Sequence, residues 1–124
     1  MIHMINPYAD TEPTRSEVDT WSGPAVLEFG QNWCGYCQGA QPVIAEAFAD
    51  HPQVKHVKVG DGKGQPLGRS FRVKLWPNLV FLKDGVVIRH WRRIHGKDGA
   101  SAYRLDWNGL SFVWTGMAGR IRTP

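Results

Sequence analysis

A short apolar run, Ala25 to Gly30 (AVLEFG), gives way within a few residues to a stretch patterned for a helix, and two cysteines, Cys34 and Cys37, stand at the junction. That junction limits the possible folds more than any other feature of the chain. A short run bounded by turn residues suits a strand covered on both faces of a sheet. The stretch that follows sets Ala40, Val43, Ile44, Ala47 and Phe48 at spacings of three and four, which is one face of a helix. Pro42 falls inside it and is expected to kink it, and His51-Pro52 ends it. Two strands joined through a helix run parallel, with a right-handed crossover.

The rest of the pattern completes such a unit. Thr14 and Glu17 form a T-x-x-E capping box that opens a short helix, with Val18 and Trp21 on one face. Val54 to Val59 reads as a second strand, and Pro66 suits the first position of a short helix reaching about Phe71. Asn78 to Leu82 is a third strand, Asp84-Gly85 a two-residue hairpin signal, and Val86 to Trp91 the partner strand. The expected fold class is α/β: a mixed central sheet, parallel strands plus a C-terminal hairpin, flanked by helices. Residues 1–13 are expected to form an irregular lead-in, 14–111 the folded domain and 112–124 a loose basic tail. Beyond Arg93 glycines break the pattern, and Ala100 to Leu110 is expected to form an imperfect short helix at best.

With 124 residues there is room for one domain. No stretch nears 18 consecutive apolar residues, so no membrane-spanning helix is expected. Met1 to Asp10 lacks the basic start and apolar run of a secretory signal, which points to the cytoplasm. Charge is uneven: residues 1–85 carry 8 Lys/Arg against 9 Asp/Glu, whereas residues 86–124 carry 7 against 2, so the net +4 comes from the last third. No basic run exceeds two residues, and a solvated basic face is a simpler reading than a nucleic-acid surface. Trp91, Trp107 and Trp114, interleaved with arginines, are read as packing residues. Asp61-Gly62-Lys63-Gly64 lacks the phosphate-loop pattern.

The chemistry lies in Trp33-Cys34-Gly35-Tyr36-Cys37. A cysteine at a helix start faces N–H groups without helical partners, and the helix dipole favours the thiolate, which is the nucleophile. A second cysteine one turn on is placed to resolve the mixed disulfide formed by the first. Zinc sites use the same spacing, but zinc wants four ligands and the chain has no third cysteine. Only His51/His56 and His90/His95 have a ligand-like spacing, so redox use is favoured over metal.

The order and spacing of several motifs resemble the thioredoxin family. Leu27-Glu28-Phe29, the WCGYC motif and Pro42 match its active-site strand and kinked helix; Trp76-Pro77-Asn78-Leu79-Val80-Phe81 matches its cis-proline strand; Lys83-Asp84-Gly85 matches its hairpin. The likeness covers about residues 14–93. It implies the thioredoxin fold and thiol–disulfide exchange, with Cys34 attacking a protein disulfide and Cys37 resolving it. It implies no cofactor beyond the cysteine pair, and a reductase or glutathione as the electron source. It also implies a cis bond between Trp76 and Pro77, and a substrate groove bordered by Trp33, Gly35, Tyr36, Trp76 and Pro77. Glu28 matches a buried acid that serves as general base for the second cysteine; the alternative is that it reaches solvent or a lysine of the neighbouring strand, Lys55 or Lys58. Three departures stand out. Glu28 replaces the usual Asp, Trp76 a smaller residue, and Gly35-Tyr36 the usual Gly-Pro, a change expected to make the pair more oxidising. The alternative function is a redox-sensing or docking module that uses the basic C-terminal part.

Overall fold

The computed structural model describes residues 7–95, 101–107 and 110–115. In chain order the elements are α1 (Arg15–Asp19), β1 (Pro24–Gly30), α2 (Gly35–Phe48), β2 (Lys55–Gly60), α3 (Pro66–Ser70), β3 (Asn78–Lys83), β4 (Val86–His95), β5 (Ser101–Trp107) and β6 (Leu110–Thr115). The strands form one sheet in the order β2-β1-β3-β4-β5-β6. β1 and β2 run parallel, as a helical crossover requires, and the other pairs are antiparallel.

Local chemistry explains the element ends. Thr14 caps α1, its hydroxyl accepting the Glu17 N–H at 3.1 Å. Asp84 and Gly85 both take positive φ (51° and 78°), the twist that a two-residue hairpin demands. A Cβ on Gly85 would also lie 2.2 Å from the Asp19 carbonyl oxygen. α2 runs on through Pro42.

Alternation along β1 divides the core. Leu27 and Phe29 pack against Val18 of α1 and Leu67 of α3. Val26 faces the other way, with Ala40 and Ile44 of α2 and with Leu79 and Phe81 of β3. Glu28 shares the α2 side by parity.

The structure departs from the sequence expectation at both ends. Among the described residues the helix expected over Ala100 to Leu110 is absent: residues 101–107 and 110–115 are strands. The reason is period: Tyr103, Leu105 and Trp107 alternate with Arg104 and Asp106, and Leu110, Phe112 and Trp114 with Ser111 and Val113. β6 thereby draws residues 112–115 of the expected tail into the sheet, while 116–124 lie outside the described residues. β4 reaches His95 instead of Trp91 because β5 pairs with it from Arg89 onward. Tyr103 fastens this extension to the core by stacking on buried Trp91, ring centroids 4.3 Å apart. At the other end, Ala9 of the lead-in pairs with β2: its N–H donates to the Lys58 carbonyl at 3.1 Å and its carbonyl accepts the Gly60 N–H at 2.8 Å.

Candidate active site

Cys34 is the N-cap of α2, with extended backbone (φ −77°, ψ 117°), and Cys37 lies in the first turn. The Cys37 N–H, which has no helical partner, donates to Cys34 Sγ at 3.3 Å. The thiols are unlinked. Cys37 is 0% exposed and Cys34 only 7%. Burial first, and then the neighbouring Cys34, push the Cys37 thiol up to about 12.

The expected groove residues gather around this pair. Trp76 packs against it, and the Trp76–Pro77 peptide is cis. The rings of Trp33 and Trp76 meet edge to face at 5.6 Å. Trp33 is 72% exposed and Tyr36 52%, so both form an open rim. A Cβ on Gly35 would meet nothing within 4 Å. Trp76 is held from two sides that the sequence did not reveal. Its indole N–H donates to Asp61 Oδ2 at 2.7 Å, and its carbonyl accepts from Arg93 Nε. The Arg93 guanidinium lies 4.0 Å over the Tyr36 ring, tying the cysteine loop to the cis-proline loop.

Glu28 sits on the floor, 0% exposed. Its Oε1 meets His56 Nε2 at 2.8 Å. Its Oε2 accepts from the Tyr8 hydroxyl and from Gln41 Nε2, the latter at 2.9 Å. Lys58 Nζ donates to Gln41 Oε1 at 2.6 Å. Burial is the largest single influence on Glu28 and raises its carboxyl. Hydrogen bonds from His56, Gln41 and Tyr8, with the charge of Lys58, outweigh that and hold the carboxyl below its ordinary value. Of the two lysines expected nearby, Lys58 is the register partner of Glu28. Lys55 belongs to the opposite face, its Nζ 3.9 Å over the Trp21 ring. The same parity places His56 on the Glu28 face, a signal available once the register is known. Tyr8 offered no sequence signal. It is 3% exposed, its hydroxyl donates to Glu28 Oε2, and its ring packs against Cys37. Burial, then Glu28, drive its phenol far above the ordinary value.

Among the described residues no group of three or more His, Cys, Asp and Glu is placed to hold a metal ion. None of the described helices is long and apolar enough to cross a membrane.

The protein-family model for thioredoxin matches residues 8–102. The chain belongs to the thioredoxin family. Among solved structures, thioredoxin 2 from Pseudomonas aeruginosa PAO1 in its reduced form is 53% identical, with a TM-score of 0.64 over 70% of this chain and 81% of that one. Thioredoxin 1 of Synechococcus elongatus is 34% identical over 74 residues, 57% of this chain and 67% of its own length. A thioredoxin of Aspergillus fumigatus is 30% identical over 66 residues, 53% and 61% of the two chains. The chain spans about half to two thirds of the length of the first curated thioredoxins it matches. The thioredoxin match starts at Tyr8 and stops inside β5, so all the site residues above lie within it and β6 lies beyond it.

Proposed function

We propose that this chain exchanges thiols and disulfides with protein substrates. The observation that carries the reading is the contrast between two sulfurs three residues apart: one caps a helix under an exposed aromatic rim, and the other is buried over a hydrogen-bonded carboxylate. Cys34, as thiolate, attacks one sulfur of a substrate disulfide, and the other substrate sulfur leaves as a thiol. Cys37 then loses its proton and attacks Cys34 Sγ. The second substrate sulfur departs, the Cys34–Cys37 bond forms, and two electrons have passed to the substrate. Glu28 receives the Cys37 proton as general base.

Trp33, Gly35, Tyr36, Trp76 and Pro77 border the groove for an extended segment of substrate. Arg93 already occupies the Trp76 carbonyl, so a segment that pairs there has to displace it. A reductase protein or glutathione restores the dithiol, and the cytoplasm is the compartment in which the pair rests reduced. Equilibration in glutathione buffers tests the reading. A reversible two-electron transition at a potential above roughly −270 mV, the thioredoxin value, is the expected result for a Gly-Tyr pair. Absence of any such transition overturns it.

A further inference from the structure

Resolution requires the Cys37 thiol to lose a proton in a place closed to water, and the hydroxyl of Tyr8, bonded to Glu28, shares a corner with that thiol. Gly30 makes the meeting possible. A Cβ there would fall 2.7 Å from both Cys37 Sγ and Tyr8 Cζ and 2.9 Å from Tyr8 Oη, so only a glycine leaves sulfur and phenol room to share this corner. Asn32 clasps the Tyr8 backbone: the Tyr8 N–H donates to Oδ1 at 2.9 Å and Nδ2 donates to the Tyr8 carbonyl at 3.3 Å. Gln41 Nε2 donates to the phenol oxygen at 3.2 Å. On the far side of Glu28, the His56 side chain is 27% exposed while that of Glu28 is 0% exposed.

We propose that the Tyr8 hydroxyl carries the Cys37 proton to Glu28, whose carboxylate His56 holds in place. The proposal rests on the exchange reading and adds Tyr8 as a catalytic residue and His56 as a positioning residue. As Cys37 Sγ attacks Cys34 Sγ, the thiol proton moves to Tyr8 Oη while the phenol proton moves to Glu28 Oε2. Tyr8 is a neutral phenol before and after. His56 Nε2, 2.8 Å from Oε1, fixes the carboxylate for this transfer. One proton passes from Cys37 to Glu28, while the electron pair goes to the departing substrate sulfur. Glu28 is faced by Tyr8 from the lead-in, by Gln41 from α2 and by His56 and Lys58 from β2; its β3 neighbour is the apolar Leu79. Cys37, one turn before Gln41 on α2, packs with Tyr8, and Phe48 packs on the His56 ring.

The chromogenic disulfide 5,5′-dithiobis(2-nitrobenzoate) separates the two steps in stopped flow. The first thionitrobenzoate released reports attack by Cys34, and the second reports resolution by Cys37. Tyr8→Phe keeps the ring and is expected to leave the first release within about twofold while slowing the second by about tenfold or more. His56→Gln retains a donor toward Oε1 and is expected to keep the second release within about threefold of wild type, whereas His56→Ala, which removes that donor, is expected to slow it about tenfold. Second release at the wild-type rate in Tyr8→Phe, equal slowing of both releases, or a second release in His56→Ala no slower than in His56→Gln would overturn the proposal. Absence of first release from the wild-type chain would instead remove the exchange reading on which it rests.

Discussion

Around Cys34 the protein shows aromatic surface to solvent, whereas beneath Cys37 it encloses Tyr8, Glu28, Gln41 and His56 in connected hydrogen bonds. The rim is joined by single contacts, such as the edge-to-face pair of Trp33 and Trp76 and the guanidinium of Arg93 over Tyr36. A substrate can replace contacts of that kind. The floor has no such freedom, because deleting one partner there leaves a buried polar group unsatisfied. Changes at the rim should therefore alter which substrates are taken, and changes at the floor should alter a step of the reaction and the stability of the fold.

The largest test of that contrast lies at the sulfurs themselves. Cys34→Ser should abolish both thionitrobenzoate releases. Cys37→Ser should give one equivalent and a mixed disulfide visible by mass spectrometry. A second release from Cys37→Ser would erase the division of labour. Glu28→Gln comes next, with resolution slowed about 100-fold and first attack nearly unchanged. The same variant tests the floor thermodynamically. Because the folded carboxyl lies below its ordinary value, its stabilising contribution is full above the unfolded value of about 4.3. It is lost as pH falls through the lower folded value. Urea unfolding between about pH 5 and pH 2 should lose stability with acid in the wild type and be flatter in Glu28→Gln.

Rim changes should be milder. Trp76→Ala removes a ring from the groove and the indole donor from Asp61, and should raise KM for a protein disulfide about tenfold, with little effect on hydroxyethyl disulfide. Parallel loss on both substrates would place Trp76 with the floor. The smallest effect is expected at Arg93→Ala: freeing the Trp76 carbonyl should lower KM for an extended substrate about threefold. A rise would show that the arginine recruits substrate instead of obstructing it.

Local signals made most of the front half readable. The AVLEFG run, the Thr14 cap and Asp84-Gly85 each specify their element within a few residues, and the WCGYC motif with Trp76-Pro77 located the cysteines and the rim through family likeness. The floor was harder because its partners are distant in sequence. Tyr8 is 20 positions from Glu28 in a stretch without period, and nothing local says that it turns inward. His56 was overshadowed by the lysines beside it, although strand parity puts it on the Glu28 face. In the last third, glycines were read as helix breakers. Asn108-Gly109, set between two alternating runs, was the stronger signal, and it favours a hairpin.

The fastening of Tyr8 has one further consequence. The strap around it is held by the Asn32 amide, by the two backbone bonds that Ala9 makes to β2 at one edge of the sheet, and by the phenol's bonds to Glu28 and Gln41. A non-strand segment docked on a sheet edge opens at a lower free energy than the central strands. Deuterium should reach the amides of Ala9 and Gly60 well before those of β1 and β3. Moderate warming would lift the phenol away while both sulfurs stayed in position. In that state the chain would still capture disulfides but release them slowly, behaving as a thiol trap below its melting temperature.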